Sequence, residues 1–397
     1  MTGAALGHPV YRDMPTTIFE QMSALARETG AINLGQGFPD TPGPADILNV
    51  AADALLSRSN QYPPMAGLPE LRAAVASHYA AHQGLALTPQ DVIVTSGATE
   101  AIAATLLALV QPGDEVLVLA PLYDAYLPLI ERAGGVAKVV RLTPPEWRIT
   151  QAALAAASPR TRFLLMNNPV NPTGIVLRDG ELALLARFCV DRDLIAICDE
   201  VWEHLTFDGL RHRPLMAQPG MGERTVKIGS AGKIFSLTGW KVGWMCAAPA
   251  DCHAALARAH QFLTFTTPPN LQWAVAKGLA KPVEWFGAIR ADYQASRDRL
   301  VTGLRAAGFV LLPSQATWFV CVDLPASGIA MDDREFCERI VRDAGVAAIP
   351  ISAFYPDEPV THLVRLCFSK ADAVLDEAVA RLADFRRRVV AGSGEGR

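Results

Sequence analysis

Short apolar segments rich in β-branched residues alternate along this chain with segments of helical hydrophobic periodicity. The helical patterns include TEAIAATLLALV and RDGELALLARFCVDRD, and the apolar segments around them are DVIVT, EVLVLA, RFLLM, LIAIC and TVKIG. Alternation of this kind predicts an α/β fold in which a mostly parallel sheet lies between layers of helices.

The pattern changes near residue 290, where longer amphipathic helical segments begin. We therefore expect an N-terminal segment over residues 1–32 that packs with a small domain, a large domain over residues 33–290, and a smaller α+β domain over residues 291–397. A chain of 397 residues, 50% of them hydrophobic, is long enough to bury more than one core. The final segment, AGSGEGR, is predicted to be disordered.

Charged residues are spread along the chain, which argues against several classes of partner. The 36 basic and 40 acidic residues form no basic stripe for nucleic acid. No apolar run matches a signal sequence or a membrane span. The seven cysteines are odd in number and form no CxxC pair, which favours reduced thiols over a zinc site or disulfides. We expect a cytoplasmic protein that acts on small molecules.

Polar residues follow the predicted strands at the points where each strand ends. They are Ser96 and Thr99 after DVIVT, Tyr123 after EVLVLA, the segment NNPVNPTG after RFLLM, Asp199 after LIAIC, and Ser230 and Lys233 after TVKIG. In open parallel sheets, ligands bind beyond the carboxyl ends of the strands. The five strand ends therefore predict one binding site.

Most of these features have a simpler explanation when each is taken alone. SGATEA fits an ordinary strand-to-helix turn as well as a phosphate-binding helix start, and NPTG alone is better explained as a turn. Tyr123 alone is more typical of packing, and a lone lysine is most often a solvated surface residue. A carboxylate after a buried strand, such as Asp199, needs a cation or a full set of hydrogen bonds.

Together these groups match one ligand, pyridoxal 5'-phosphate (PLP). Its aldehyde forms a Schiff base with a lysine, its protonated ring nitrogen pairs with a carboxylate, and its phosphate needs amides and a cation. The segment GSAGKIFSLTGWKVGW supplies two lysines and no acidic residue. We interpret Lys233 as the Schiff-base lysine and Lys241 as the cation for the phosphate.

The sequence resembles the class I aminotransferases of PLP fold type I over essentially its whole length. Within them it is similar to the kynurenine, glutamine and methionine aminotransferases and to the succinyldiaminopimelate aminotransferases. The matching stretches are TIFEQMSALA, INLGQGFPD, NQYPP, SGATEAI, PLYDAY, NPTG, DEVWEHL, SAGKIFSLTGWKVGW, AAIPISAFY and LVRLCFSK. The resemblance implies a large domain with a mostly parallel sheet between helices, a smaller α+β domain, amino acid and 2-oxo acid substrates, and a homodimer.

The resemblance also implies a role for each matching residue. The resemblance assigns the phosphate of the cofactor to Gly97, Ala98, Thr99, Ser230 and Lys241. It implies that Tyr123 stacks on the pyridine ring, that Asn171 binds the phenolic oxygen and that Asp199 pairs with the ring nitrogen. It also implies that Tyr62 reaches the cofactor phosphate in the neighbouring subunit. Arg365 corresponds to the arginine that clamps the substrate α-carboxylate, with Gly37 in the loop that closes over it. We expect Asn171 and Phe354 to contact the substrate as well.

One position departs from the family pattern. Trp202, in DEVWEHL, stands where most relatives have a tyrosine whose hydroxyl donates to the phenolic oxygen of the cofactor. An indole N–H donates one hydrogen bond but has a different reach and cannot be deprotonated. Either Trp202 replaces that donor or the cofactor is less activated in this protein.

The implied reaction is transfer of an α-amino group to a 2-oxo acid by a ping-pong mechanism, with Lys233 as general base and acid. We expect neutral donors such as methionine, glutamine, aromatic amino acids or kynurenine. The segment HQFLTFTTPPN contains no arginine or lysine to pair with a side-chain carboxylate, and it offers Phe262 and Phe265.

Other activities stay open at this point. The same fold and lysine would serve a succinyldiaminopimelate or aspartate aminotransferase, or a β-lyase that acts on cysteine conjugates. A PLP-binding transcription regulator is less favoured, because it needs a DNA-binding extension and the resemblance begins by about residue 14.

Overall fold

The computed structural model describes residues 6–12, 14–247 and 250–394. In these ranges the strands are β1 (Ile32–Asn33), β2 (Val92–Ser96), β3 (Glu115–Ala120), β4 (Val136–Arg141), β5 (Thr161–Asn167), β6 (Ile195–Asp199), β7 (Thr225–Ser230), β8 (Val242–Ala247), β9 (Val310–Leu311), β10 (Phe319–Asp323), β11 (Val346–Ala347), β12 (Ile349–Pro350) and β13 (Leu363–Cys367).

The α-helices in the same ranges vary from a single turn to more than six turns. They are α1 (Pro9–Arg12), α2 (Ile18–Thr29), α3 (Ala45–Ser57), α4 (Pro69–Gln83), α5 (Gly97–Leu109), α6 (Tyr126–Arg132), α7 (Asp179–Asp191), α8 (Ala231–Ile234), α9 (Ala250–Leu263), α10 (Pro269–Leu279), α11 (Val283–Ala306), α12 (Asp333–Ala344) and α13 (Asp372–Gly394). None of them is long and apolar enough to cross a bilayer, as far as the described residues show.

A seven-stranded sheet forms the centre of the molecule, in the order β2-β8-β7-β6-β5-β3-β4. Neighbouring strands from β7 to β4 pair in parallel, whereas β8 is antiparallel to both β7 and β2. The core strands are buried almost throughout, because helices cover both faces of the sheet. The predicted mostly parallel α/β sheet is therefore confirmed, and each of the five apolar segments forms one of its strands.

A smaller antiparallel sheet, in the order β12-β13-β10-β9, lies in the C-terminal part of the chain. The N-terminal segment contacts this part, because α2 packs against α12 and β1 pairs with β11. Its residues 1–5 and 13 lie outside the described residues. The proposed division between residues 290 and 291 falls inside the continuous helix α11, and the domain boundaries stay a prediction.

The prediction of disorder for AGSGEGR is wrong in its first half, because α13 continues through residues 391–394. The last three residues of the segment lie outside the described residues.

The sheet register brings the predicted strand ends to one edge. Asn167, the last residue of β5, pairs with Asp199, the last residue of β6, and Asp199 in turn pairs with Ile228 of β7. Helix α5 begins directly after β2, at Gly97. Residues that are far apart in the sequence thus surround one space at the carboxyl ends of the strands.

Candidate active site

A cavity of about 230 Å³ opens at this edge of the sheet. It brings together most of the predicted site residues, namely Gly97, Ala98, Thr99, Tyr123, Asn171, Asp199, Trp202, Ser230, Lys233 and Lys241. It is completed by residues that sequence reasoning did not select, namely Ile102, Tyr126, Asn167, Val201, Gly232 and Thr238.

Lys233 extends into the cavity from α8, the single helical turn that follows β7. Its Nζ lies 4.8 Å from the ring centroid of Trp202 and 5.2 Å from that of Trp318. Removal from water lowers the pKa of Lys233 to about 8, although the negative charge of Asp199 acts in the opposite direction. A larger fraction of this amine than of an exposed lysine is therefore unprotonated near neutral pH, which favours a nucleophilic or basic role.

Asp199 faces the same cavity from the end of β6 and is only 6% exposed. The hydroxyl of Tyr126 donates to its Oδ2 at 2.5 Å, and the backbone N–H of Val201 donates to its Oδ1 at 3.4 Å. Burial raises the pKa of Asp199, and the hydrogen bond from Tyr126 and the charge of Lys233 oppose that rise. A cationic group in the cavity would stabilise the ionised carboxylate further.

The opposite end of the cavity is suited to an anion. The first-turn N–H groups of α5 have no partner within the helix, and the helix dipole makes this end positive. Gly97 has a φ of +73°, and a Cβ built there would lie 3.2 Å from Nζ of Lys241. Glycine at this position therefore keeps the lysine amine close to the start of the helix. Ser230 adds a hydroxyl, and Thr99 forms a side-chain hydrogen bond with Tyr123.

Trp202 belongs both to the cavity wall and to an aromatic cluster behind it. The residue is 3% exposed, and its ring packs edge-on against Trp318 at 4.9 Å and Phe319 at 5.4 Å between centroids. The face of the indole contacts the amine of Lys233. A tryptophan at this position therefore contributes to packing as well as to the surface that a ligand meets.

Arg365 lies beside the cavity and connects to it through Asn171. Its two terminal nitrogens donate to Oδ1 of Asn171 at 2.8 Å and to the carbonyl of Gly35 at 2.6 Å, and the guanidinium lies 3.9 Å from the ring centroid of Phe319. Burial lowers the pKa of Arg365 to about 10. Its Nε is buried without a hydrogen-bond partner among the described residues, and each terminal nitrogen keeps a second N–H beyond the two bonds above.

The other predicted substrate residues surround Arg365 and do not line the cavity. Gly37 packs so closely on Phe319 that a Cβ would lie 2.7 Å from the ring, which explains glycine at this position. The ring centroid of Phe354 lies 5.3 Å from the guanidinium carbon of Arg365. Tyr62 is 83% exposed and contacts Phe265 edge-on at 5.4 Å, so within one chain it stays outside the cavity.

Two missed residues had a detectable signal. Tyr126 follows Tyr123 by three residues in PLYDAY, a spacing that places both on one side of a helical turn. Asn167 is the first residue of the polar segment NNPVNPTG after the predicted strand RFLLM, and its side chain donates to the carbonyl of Asp199 at 2.8 Å and accepts from the N–H of Asn171 at 2.7 Å. Both residues position groups that sequence reasoning did select.

The geometry fits PLP at each end. An amine of lowered pKa, a buried carboxylate and an anion-binding helix start face one cavity, with a tyrosine ring between them. The family model for aminotransferase class I and II matches residues 29–382. The chain belongs to this family, so it is a PLP-dependent aminotransferase with the fold of PLP fold type I, as the sequence predicted.

Known proteins are similar over nearly the full length. A probable N-succinyldiaminopimelate aminotransferase of Mycobacterium tuberculosis is 45% identical over 390 residues, which cover 95% of this chain and 98% of that protein. Methionine aminotransferase of Escherichia coli is 41% identical over 369 residues, 92% of this chain and 95% of that protein. The solved structure of N-succinyldiaminopimelate aminotransferase from M. tuberculosis has a TM-score of 0.92 and 46% identity, covering 96% of this chain and 100% of that chain.

Proposed function

We propose that this aminotransferase binds PLP in the cavity described above, in the orientation that its charges favour. The start of α5, with Ser230 and Lys241, takes the phosphate, and Asp199 pairs with the protonated ring nitrogen. Tyr123 lies against the ring. PLP supplies an aldehyde that binds amines and a cationic ring that accepts an electron pair from the substrate.

The residues of the chain then bind and orient the amino acid. Arg365 binds the α-carboxylate through the N–H groups that its contacts with Asn171 and Gly35 leave free, and those contacts hold the guanidinium in place. Because Oδ1 of Asn171 accepts from Arg365, its amide N–H is the end that donates to the phenolic oxygen. Lys233 attaches the cofactor, and its released Nζ accepts the α-proton of the substrate. The two half-reactions make the kinetics ping-pong.

We favour a neutral amino donor, such as methionine, glutamine, an aromatic amino acid or kynurenine. The observation that carries this is the aromatic wall of Phe19, Phe319 and Phe354 around Arg365. Lys370, the cation of the neighbouring cavity, is already paired with Asp40 at 2.7 Å. Among the described residues, a side-chain carboxylate on the substrate would therefore be buried without a cationic partner from the same chain, at a cost of several kcal/mol.

N-succinyldiaminopimelate is the second candidate donor, and the relative with 45% identity supports it. That donor is long and acidic, so it requires a cation that the aromatic wall does not offer. The neighbouring subunit or a movement of Lys370 would have to supply this cation.

A β-lyase activity is distinguished from amino transfer by its products, which are pyruvate, ammonia and a thiol.

Steady-state kinetics with one common oxo acid test the choice. The donors are methionine, glutamine, phenylalanine, kynurenine, aspartate and N-succinyldiaminopimelate. We expect kcat/KM to be highest for a neutral donor. A higher value for either acidic donor would reject the neutral class while leaving the aminotransferase assignment intact.

We also propose a homodimer with shared active sites. The apolar side chains of Phe262 and Leu263 are 84% and 47% exposed in the single chain, near the exposed pair of Tyr62 and Phe265. Such a cluster is typical of an interface. Light scattering should give the mass of a dimer. Tyr62→Phe should weaken cofactor binding while leaving the dimer intact.

All seven cysteines are free thiols, which supports a cytoplasmic location.

A further inference from the structure

Three histidine rings converge on the large domain, outside the candidate active site. His78 and His82 lie one turn apart on α4, and His204 lies in the turn that follows β6. Nε2 of His78 is 2.7 Å from Nε2 of His204, and one ring nitrogen from each of the three residues lies within 4.8 Å of the others. The ring of Phe286 packs against all three, at 5.0–5.2 Å between centroids.

His78 is held in the orientation that a metal ligand needs. Its Nδ1 lies 3.2 Å from the carbonyl oxygen of Leu279, which can only accept, so Nδ1 carries the proton. The lone pair on Nε2 therefore points toward His204. A backbone carbonyl in this place is the usual outer partner of a histidine that binds a metal through its other nitrogen. The residue is 3% exposed, so its ring cannot turn freely.

Metal binding requires each ligand nitrogen to be free of a proton. Nε2 of His204 lies 2.7 Å from Nε2 of His78, so it donates to that lone pair when no ion is bound. In the metal-bound site the proton of His204 is carried on Nδ1 instead. The charged groups around the rings are of both signs: Glu203 favours a cation there, and Arg290 opposes it.

We propose that His78, His82 and His204 form a binding site for one divalent transition metal ion such as Zn²⁺. Imidazole nitrogens suit Zn²⁺, Cu²⁺ and Ni²⁺, whereas Mg²⁺ and Ca²⁺ select oxygen ligands. Zinc–nitrogen bonds of about 2.0–2.1 Å at tetrahedral angles hold the ligand nitrogens roughly 3.3 Å apart, so Nε2 of His78 and Nε2 of His204 must separate from 2.7 Å when the ion binds. His82 lies in the last turn of α4 and is partly exposed, so its ring can adjust to complete the site.

The fourth ligand position faces solvent. His78 and His82 line a groove of about 600 Å³ that runs between α4 and α10 and includes Glu70 and Trp273. Three protein ligands and a water molecule complete a tetrahedral zinc site. The second cluster of possible ligands, Glu200, Glu203 and His212, already surrounds the ammonium group of Lys227 and has no comparable vacancy.

A metal ion at this site would join α4 to the turn that carries the active-site wall. His204 follows Trp202 by two residues, and the intervening Glu203 contacts Lys227 at 2.8 Å. The ion would therefore stabilise this turn without contacting the cavity, and its effect on thermal stability is separable from turnover.

Equilibrium dialysis of the tag-free holoenzyme against ZnCl₂, after treatment with a chelator, tests the site. We expect one Zn²⁺ per chain, a rise in Tm on zinc addition, and a zinc-edge X-ray absorption spectrum with nitrogen and oxygen ligands alone. His82→Ala, a partly exposed residue, should fold normally and bind Zn²⁺ at least about tenfold more weakly. His8→Ala, at an exposed histidine just before α1, is the matched control and should bind as the unmodified protein does.

Three results would overturn the proposal. They are the absence of stoichiometric zinc, unchanged affinity in His82→Ala, and sulfur ligation in the absorption spectrum, which would point to a cysteine such as the partly buried Cys252. His204→Gln provides a second variant for the same measurements, because it keeps a polar side chain of similar size in the turn.

Discussion

Tyr126 donates a hydrogen bond of 2.5 Å to Oδ2 of Asp199, and both side chains are almost completely shielded from water. The tyrosine belongs to the first turn of α6, whereas the aspartate ends β6, so the bond joins a helix to the sheet edge. It fixes the orientation of the carboxylate and offsets part of the effect of burial on its pKa. The orientation of Asp199 therefore depends on Tyr126, a residue that neither the sequence pattern nor the family resemblance selected.

Tyr126→Phe should weaken cofactor binding about 5- to 150-fold, because a buried acceptor without its donor costs about 1–3 kcal/mol. The pH at which the cofactor absorbance changes should move as well. Tyr79→Phe is the matched control, since Tyr79 is a buried tyrosine that donates to Glu203 at 2.9 Å, outside the cavity. Equal loss of cofactor affinity in both variants would show a general packing effect instead.

The holoenzyme should be yellow, and borohydride should abolish this absorbance and fix the cofactor on Lys233. Lys233→Ala should fold and bind cofactor without a covalent bond, but it should not turn over. Lys241→Ala should keep the covalent attachment and lose cofactor affinity, because its amine lies at the anion end. Peptide mass spectrometry identifies the lysine that carries the reduced cofactor. Attachment at Lys241 or at no lysine would contradict the assignment of Lys233 as the Schiff-base lysine.

In cofactor-free protein, Lys233 should react with limiting acetic anhydride at a rate that rises with pH and levels off above pH 8. The reason is that burial lowers the pKa of Lys233 to about 8, so the neutral, reactive amine predominates above that pH. An exposed lysine such as Lys277 serves as the internal reference for reagent access. Mass spectrometry of the two peptides gives both profiles, and identical profiles would refute the expected environment.

Sequence reasoning located the strand ends because a polar residue after a fully buried run is conspicuous. It found Lys233 and Asp199 for this reason, whereas the role of Asn171 came from the family resemblance. It missed the antiparallel direction of β8, because VGWMCA is as apolar as a buried parallel strand and carries no mark of direction. The contact between Asn171 and Arg365 joins residues 194 positions apart, so only the fold or a family resemblance could reveal it.

Trp202→Tyr should shift the pH dependence of the cofactor absorbance, because a hydroxyl would replace the indole face beside Lys233. The structure adds a stability cost of about 1–3 kcal/mol, since the smaller ring leaves space against Trp318 and Phe319. Trp244→Phe, in a fully buried site away from the cavity, should lose stability without the spectral shift. A stability loss with no spectral change in Trp202→Tyr would reduce Trp202 to a core residue.

The last prediction concerns a buried ion cluster under the same turn. The ammonium group of Lys227 contacts Glu200 and, at 2.8 Å, Glu203, and all three side chains are fully buried. Lys227→Met should lower the free energy of unfolding by about 3–5 kcal/mol at pH 7, because it leaves buried carboxylates without their cation. Lys281→Met removes a partly exposed ion pair with Asp46 and should cost about 0–1 kcal/mol.

The pH dependence separates this loss of charge from a loss of packing. Burial acts to raise the pKa of Glu200, but Lys227 and His212 outweigh it and lower the pKa to about 2, below the ordinary 4.5. Its contribution to stability is therefore full above pH 4.5 and is lost as the pH falls toward 2. Without Lys227, burial dominates and protonation of Glu200 becomes stabilising. Denaturant titrations should thus show the difference between Lys227→Met and the unmodified protein shrinking below pH 4.5, whereas a packing defect would give a constant difference.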